Sequence, residues 1–197
     1  MVTTAGPPAP TGLVVLAAGA GTRFRAGSHK LTTLWRGRPL VHWAVAAAVQ
    51  AQVGPVVVVT GAARLTLPDG VVVVHHDRWA EGQATSLARA VAVARAAGWG
   101  AVVVGLGDQP QVTPEAWRAV AECDAPVAVA TYEGRRRNPV RLAREVWDDL
   151  STDGDEGART LMRVRPELVH EVPCTGDPAD VDTSEDLARW NWSTNSP

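Results

Sequence analysis

Short apolar runs rich in β-branched residues alternate along this chain with alanine-rich segments of helical length. The apolar runs predict five strands, over residues 13–17, 56–60, 71–74, 101–106 and 127–131. Each run is apolar throughout, as is typical of strands that are covered on both faces. Because alternation of such strands with helices is typical of βαβ units, the pattern predicts a three-layer α/β domain with a mostly parallel sheet.

Helix signals lie between these runs. Apolar residues at helical spacing predict a helix over residues 39–52, and an alanine-rich segment that Gly98 ends predicts another over 83–97. Thr113 supplies the N-cap of a third helix, over 115–122. The pattern after Tyr132 is less regular. There we expect strands over 138–142 and 168–172, helices over 144–150 and 156–163, and a C-terminal helix that Thr183 caps and that runs to about residue 190.

The composition fits one packed globular domain. The chain has 197 residues, of which 46% are hydrophobic and 20% charged, and a chain of this size needs no disulfide or structural metal to be stable. We expect residues 12–197 to form that domain and residues 1–11, rich in Pro, Thr and Ala, to form a disordered tail. Cys123 and Cys174 lie in no metal-binding or redox motif, so we expect both to be reduced.

Charge and hydropathy argue against two classes of partner. The net charge is −2 and the only basic run, residues 135–137, is short, whereas duplex nucleic acid requires a concentrated positive face. The apolar runs are too short to span a bilayer, and the first twelve residues lack the pattern of a signal peptide. We therefore expect a cytoplasmic protein that binds neither nucleic acid nor membrane.

The strongest candidate for a binding site begins where the first predicted strand ends. Residues 16–23 read Leu-Ala-Ala-Gly-Ala-Gly-Thr-Arg, and small residues there allow backbone N–H groups to approach an anion closely. A dinucleotide fingerprint would need glycine in place of Phe24, and a Walker loop would need Gly-Lys-Ser/Thr at 29–31, so the spacing fits neither. The pattern predicts a phosphate site, with a simple tight turn as the alternative.

Charged residues beside the ends of predicted strands strengthen the phosphate interpretation. Arg23 and Lys30 follow the loop and can neutralise a triphosphate and the charge that grows as pyrophosphate leaves. Asp108 follows the strand over 101–106, where a hard oxygen donor suits a Mg²⁺ ion that bridges phosphates. Each residue has a simpler alternative, a solvated surface charge for the two cations and a chain-turning residue for Asp108.

A second group of acidic residues stands before the predicted C-terminal helix, in the sequence Asp180-Val181-Asp182-Thr183-Ser184-Glu185-Asp186. Thr183 and Asp186 have the spacing of a capping box, and acidic residues favour helix N-termini. The capping box accounts for Asp186 but leaves Asp182 unexplained.

Seven motifs give the chain a resemblance to a known family. They are Leu16-Ala17-Ala18-Gly19 with Arg23 and Lys30-Leu31, Gly37-Arg38-Pro39-Leu40, Glu81-Gly82-Gln83 with Ser86-Leu87, Gly107-Asp108-Gln109-Pro110, Asn138-Pro139-Val140, Gly154-Asp155-Glu156-Gly157-Ala158-Arg159, and Asp182-Thr183-Ser184-Glu185-Asp186-Leu187. In this order and spacing they resemble the MobA-like nucleotidyltransferases, and within them the molybdenum cofactor cytidylyltransferases. The resemblance covers Leu13 to about Trp190 and implies the Rossmann-like fold of the nucleotide-diphospho-sugar transferases.

The resemblance implies a role for each group of motif residues. The implied catalytic residues are Arg23, Lys30, Asp108 and Asp182, of which the two aspartates would hold Mg²⁺. The implied nucleotide-binding residues are Leu16, Ala17, Ala18, Gly19, Gly21, Arg23, Lys30, Gly82, Gln83, Ser86 and Asp108. The implied acceptor-binding residues are Asn138, Asp155 and Arg159, and a helix N-cap is an equally good account of Asp155.

The resemblance also implies the reaction. Family members with Leu-Ala-Ala-Gly, in which Ala18 is the distinguishing residue, resemble users of CTP, whereas those with Leu-Ala-Gly-Gly resemble users of GTP. The expected reaction is transfer of CMP from CTP to the phosphate of molybdopterin, with a molybdenum-dependent oxidoreductase as a further partner. The alternatives are a related transferase that acts on a sugar or alditol phosphate, and a non-catalytic carrier of the molybdenum cofactor. The chain departs from the family in one place, since the segment from Arg23 to Lys30 is two residues longer than usual.

Overall fold

The computed structural model describes residues 9–22, 24, 29–183, 185–187 and 190. Its strands are β1 (Thr11–Ala17), β2 (Leu34–Trp35), β3 (Arg38–Pro39), β4 (Val56–Thr60), β5 (Val72–His75), β6 (Ala101–Leu106), β7 (Val127–Tyr132), β8 (Arg135–Ala143) and β9 (Val169–Pro173). Seven of them form one sheet in the order β5-β4-β1-β6-β8-β7-β9, and β2 pairs with β3 separately. Within the large sheet only β8 is antiparallel to its neighbours.

Helices cover both faces of the large sheet. The α-helices are α1 (Leu40–Gln50), α2 (Gln83–Ala96), α3 (Pro114–Ala121) and α4 (Ala158–Val164), and the 3₁₀ helices are Lys30–Thr32, Trp79–Glu81, Arg144–Asp149 and Pro166–Leu168. Alternate residues of β1 point to opposite faces. Val14 packs in one apolar cluster with residues of α2, and Val15 packs in another with residues of α1 and α3. The predicted three-layer α/β fold with a mostly parallel sheet is therefore confirmed.

Two local expectations differ from the structure at the edges of the domain. The run at 71–74 was expected to be covered on both faces, but β5 is an edge strand in which Val72 and Val73 are 54% and 52% exposed. The strand β1 begins at Thr11, inside the expected tail, and the Gly100 N–H donates to the Pro10 carbonyl at 2.9 Å. Residues 1–8 lie outside the described residues.

Two differences lie in the second half of the chain, and the second of them shapes the edge of the sheet where its parallel strands end. The helix expected over 144–150 is a 3₁₀ helix, Arg144–Asp149. The strand expected over 138–142 begins earlier, at Arg135, and its first residues pair with β7 alone, because β6 pairs only with residues 140–143. A two-residue turn joins β7 to β8 at Glu133 and Gly134, both of which have positive φ. The hairpin tip therefore extends past the carboxyl end of β6.

None of the helices that the structure describes is both long enough and apolar enough to cross a membrane.

Candidate active site

A cleft of about 700 Å³ opens where β1 and β6 end. The carboxyl ends of neighbouring parallel strands meet at one edge of the sheet, and ligands bind there in open α/β folds. The residues of the expected nucleotide-binding set that line this first cleft are Leu16, Ala17, Ala18, Gly19, Gly21, Lys30, Gly82, Gln83, Ser86 and Asp108. Arg23, the remaining member of the set, lies outside the described residues.

His29 connects the backbone just after β1 to the 3₁₀ helix Lys30–Thr32. Its Nδ1 accepts a hydrogen bond from the Leu31 N–H at 3.2 Å, and its Nε2 lies 3.0 Å from the Gly19 carbonyl oxygen. Because Nδ1 is an acceptor, the proton is on Nε2, which donates to Gly19. Gly21 has φ +61, and a Cβ there would lie 3.1 Å from Cβ of Lys30. The sequence indicated no role for His29, which orders the backbone on both sides of the loop.

Lys30 joins the two candidate metal ligands. Its Nζ donates to Oδ2 of Asp108 at 2.6 Å and to Oδ1 of Asp182 at 3.1 Å, and its side chain is only 11% exposed. Burial by itself would lower the pKa of Lys30, but the adjacent Asp108 and Asp182 carboxylates outweigh burial and raise it. Lys30 is therefore a partly buried, charged ammonium between two carboxylates.

The segment that carries Asp182 is fixed from both sides. The Asp186 carboxylate accepts hydrogen bonds from the N–H groups of Asp182 and Thr183 at 3.2 and 2.9 Å, and the Thr183 hydroxyl accepts one from the Asp186 N–H at 3.1 Å. The expected capping box is thus present. Val181 is fully buried, and its N–H donates to the Asp108 carbonyl at 3.0 Å. This bond ties the backbones of the two aspartates together.

The donor set at this position suits a hard divalent cation. In the described part of the chain, no group of three or more His, Cys, Asp or Glu side chains is placed to hold a metal ion. Two carboxylates are sufficient for Mg²⁺, which usually keeps several waters and binds one or two carboxylates together with substrate phosphates. The Lys30 ammonium, hydrogen-bonded to both carboxylates, shows that they converge on one cation. Asp108 and Asp182 therefore fit the expected magnesium site.

A loop from the second half of the chain packs against the start of α2. The Ala84 N–H donates to the Gly154 carbonyl at 2.9 Å, and the Gln83 N–H donates to Oδ1 of Asp155 at 3.3 Å. Gly82 has φ +114, and a Cβ there would lie 2.3 Å from the Gly154 oxygen. Asp155 thus accepts a hydrogen bond from the start of α2 and lines the first cleft, and the expectation that it caps the helix after it is wrong, because the N-cap of α4 is Gly157. Its expected contact with the acceptor stays a prediction.

A second cleft, also of about 700 Å³, adjoins the first. Its floor consists of apolar side chains that are at most 9% exposed, Val104, Val129, Val140, Leu142 and Met162. Its polar lining includes Arg136, Arg137, Asn138, Glu156, Arg159 and Arg163. The residues that line both clefts are Leu16, Gln83, Leu106, Arg159 and Asp180. The two clefts are therefore continuous, and the expected acceptor residues Asn138 and Arg159 both face the second.

Asp180 lies at the junction of the two clefts, and sequence reasoning assigned it no role. Desolvation within the concave site, then the negative charge of Asp108, raises the pKa of Asp180, and a hydrogen bond from the Gln109 side chain partly offsets the rise. Gln109 is buried, and its Nε2 donates to the Pro178 carbonyl at 2.9 Å. The signal that could have revealed Asp180 is its spacing, since it stands two residues before Asp182 with a buried valine between them.

The sheet with its two continuous clefts defines an α/β domain with a ligand site at the carboxyl ends of its strands, and comparison with known proteins gives its class. Residues 13–172 match the family described as MobA-like NTP transferase domain. The chain therefore belongs to the MobA-like NTP transferase family, as its motifs predict, and this family places it among the nucleotidyltransferase enzymes.

Individual relatives extend this comparison. The nicotine blue oxidoreductase of Paenarthrobacter nicotinovorans is 32% identical over 195 residues, which cover 89% of this chain and 94% of that protein. Rv0371c of Mycobacterium tuberculosis H37Rv is 28% identical with a TM-score of 0.80, covering 93% of this chain and 98% of that one. A nucleotidyl transferase from Methanothermobacter is 25% identical with a TM-score of 0.76, covering 94% and 99%. Rv0371c has also been solved as a complex with manganese. These structures confirm the expected Rossmann-like fold.

Proposed function

We propose that this protein is a cytoplasmic, Mg²⁺-dependent cytidylyltransferase that transfers CMP from CTP to the phosphate of a molybdopterin-type acceptor. The observation that carries the proposal is the arrangement of Lys30 between Asp108 and Asp182, at the end of a loop of small residues and beside a second cleft. With a divalent ion on the two carboxylates, this arrangement would neutralise charge on a triphosphate at a point where a second substrate has access. The product would pass to a molybdenum-dependent oxidoreductase.

The reaction needs no nucleophile from the protein. A phosphate oxygen of the acceptor attacks the α-phosphorus of CTP, a new P–O bond forms, and the bond to the β-phosphate breaks as pyrophosphate leaves with the electron pair. The protein contributes positioning and electrostatic stabilisation. The loop after β1 offers backbone N–H groups to the phosphates, and the Lys30 ammonium neutralises part of their charge.

A divalent ion is part of the proposal. Asp108 and Asp182 would hold Mg²⁺, which when bound neutralises phosphate charge and orients the triphosphate. The manganese complex of Rv0371c supports this point, because that protein shares the fold over nearly its whole length. The choice of CTP rests on the resemblance of Leu16-Ala17-Ala18-Gly19 to the motif of CTP users. Ala18 is buried beside the first cleft, and its carbonyl accepts a hydrogen bond from the Ala62 N–H at 3.0 Å.

Two alternatives to this proposal are a different acceptor and a role without catalysis. A sugar or alditol phosphate could serve as acceptor in the same chemistry. A non-catalytic carrier of the molybdenum cofactor would have no use for two carboxylates and a lysine placed for a triphosphate, and Asp108, Asp182 and Lys30 therefore favour catalysis.

One comparison favours a second candidate function. The relative from Paenarthrobacter is named an oxidoreductase of nicotine blue, and the apolar second cleft offers room for a flat organic substrate. Such a reaction needs an electron donor. The loop after β1 lacks the dinucleotide fingerprint, so we place this redox function second.

Pyrophosphate release tests these functions together. The purified protein is incubated with CTP, Mg²⁺ and a molybdopterin-type acceptor, and pyrophosphate is measured by a coupled assay, with parallel reactions that replace CTP by GTP or the acceptor by an alditol phosphate. We expect release that requires CTP, metal and molybdopterin-type acceptor, with CTP preferred over GTP in competition. A separate reaction supplies a reduced nicotinamide dinucleotide as electron donor and nicotine blue as electron acceptor. Oxidation of the dinucleotide there, with no pyrophosphate release in the first assay, would instead establish the redox function.

A further inference from the structure

The second cleft has a floor that suits a ring rather than a polyol. Val104 of β6, Val140 of β8 and Met162 of α4 reach this floor with 6–9% of their surface exposed, and Val129 and Leu142 lie directly beneath them. A hydroxyl placed against such a surface loses its hydrogen bonds to water and gains none, which costs free energy. A flat apolar ring instead gains from burial at the same position. The floor therefore selects against sugar and alditol bodies.

The arginines of the second cleft differ in what they contact. Arg136 donates to Oε1 of Glu171 at 2.7 Å, and Arg163 pairs with Glu156 at 3.0 Å. For Arg137 and Arg159, no carboxylate of the described residues lies within ion-pair distance, and Arg137 donates only to the carbonyl of the preceding residue, at 3.0 Å. Arg159 lies near Glu156 without forming an ion pair with it, so both arginines have donors left for an anionic ligand.

These two arginines occupy different positions. Arg159 lies on α4 and lines both clefts, so it is placed at their junction, where the proposed function puts the reacting phosphate. Arg137 lies on the β7–β8 hairpin, which extends past the end of β6, and it lines the second cleft only. Arginine binds carboxylate and phosphate groups with two parallel hydrogen bonds.

From this arrangement we infer that the acceptor has a flat, ring-sized body, whose face lies on the apolar floor, and carries a second anionic group, bound by Arg137, besides the phosphate that attacks CTP. Arg159 contacts the reacting phosphate, the ring lies on the apolar floor, and Arg137 fixes the far end. Arg137 is thus a specificity-determining residue for the acceptor. This inference rests on the proposed function for the identity of the reacting phosphate.

Binding measurements without CTP test the inference separately from turnover. The probes are 6-carboxy-2-naphthyl phosphate, 2-naphthyl phosphate and glycerol 3-phosphate, measured by titration calorimetry on the whole protein. We expect wild-type affinity to fall in that order, with about tenfold between the two naphthyl compounds, because only the first offers a second anion to a charged donor. If glycerol 3-phosphate binds as tightly as the naphthyl compounds, the inferred ring site is wrong.

The variant Arg137→Ala and its matched control locate the second anion. Arg137→Ala should remove the difference between the two naphthyl compounds and leave the affinity for 2-naphthyl phosphate unchanged. Arg135→Ala, on the same exposed hairpin but outside the cleft lining, should preserve the difference. If Arg137→Ala also preserves it, the inference fails. Because no nucleotide is present, failure here leaves the pyrophosphate assay untouched, and failure of that assay leaves these affinities measurable.

Discussion

The two clefts are continuous, but their linings differ in polarity. The first is polar, formed by backbone and small residues after β1 and by Lys30, Asp108 and Asp182. The second has an apolar floor drawn from three strands and a helix, with arginines in its lining. A triphosphate presents the same charged groups in every NTP, so a fixed set of short motifs can serve it. An acceptor varies between relatives, and its site depends on shape and on charges from separate elements.

Because of this contrast, we expect substitutions in the two clefts to change different kinetic parameters. Side chains of the first cleft contact groups whose charge changes during the reaction, so their loss should lower kcat. Side chains that contact only the far end of the acceptor bind it equally before and during the reaction, so their loss should raise KM alone. A variant of the second cleft that lowers kcat, or one of the first cleft that raises KM alone, would mean that the two clefts act as one functional unit.

Asp108→Asn should have the largest effect. Asp108 holds the shorter of the two hydrogen bonds to Lys30, and it stands at the end of β6 rather than in the core, so the variant should fold. Removal of one ligand charge from a two-carboxylate site should lower kcat by about 10³-fold at ordinary Mg²⁺ concentrations. Steady-state pyrophosphate release measures this. Asp148→Asn, which changes an exposed aspartate paired with Arg95, is the control and should retain full activity.

Asp182→Asn should come next, and the neighbouring Asp186 offers a matched comparison. Asp182 contacts Lys30, whereas the Asp186 carboxylate accepts the capping hydrogen bonds. We expect Asp182→Asn to lower turnover by about 10²-fold, with partial recovery at high Mg²⁺ or Mn²⁺ and little change in Tm. Asp186→Ala should remove the cap and lower the free energy of unfolding by about 1 kcal/mol, so that Tm also falls.

Thermal melts without metal and initial rates with metal distinguish these two aspartates. A fully active Asp182→Asn protein at ordinary Mg²⁺ would leave Asp108 as the single carboxylate ligand of the proposed site.

The parts of the fold that could be predicted are those that short local patterns specify. The strands at 56–60 and 101–106 match the structure to the residue, and Thr113 caps α3 by accepting a hydrogen bond from the Ala116 N–H. The first cleft follows from the same signals, since loops after parallel strands lie at one edge. These signals place Asp108 and Lys30 in one site, but the direct hydrogen bond between them, across 78 residues, is seen only in the structure.

The second cleft could not be predicted in this way, because it depends on strand order. The run at 135–137 was read only as a basic segment too short for nucleic acid. Its place in a hairpin above the carboxyl edge follows from the insertion of β8, antiparallel, between β6 and β7. The exposed face of β5 was missed for a related reason, since an apolar run does not reveal whether its strand lies at the centre or the edge of a sheet.

Asp180→Asn should have the smallest effect, and it tests whether the junction residue belongs electrostatically to the first cleft. The raised pKa means that ionisation of Asp180 costs stability in the folded protein. This cost is absent below the unfolded-state pKa of about 4 and grows as the pH rises through the raised folded-state value. The neutral variant should therefore melt above wild type at pH 7, and the gap should close on acidification.

The size of this Tm difference between Asp180→Asn and wild type, and its dependence on Mg²⁺, show whether Asp180 interacts with the first cleft. Asp180 is open to solvent in the cleft, so screening limits the gain in Tm to about 1 °C. Mg²⁺ bound at Asp108 and Asp182 would cancel the negative charge that repels the ionised Asp180 carboxylate. The Tm difference between the variant and wild type should therefore become smaller when Mg²⁺ is added. Differential scanning calorimetry at pH 4 and pH 7, with and without Mg²⁺, measures all four values. A gap that is independent of pH and metal would mean that Asp180 does not interact with the carboxylates of the first cleft and belongs to the acceptor side alone.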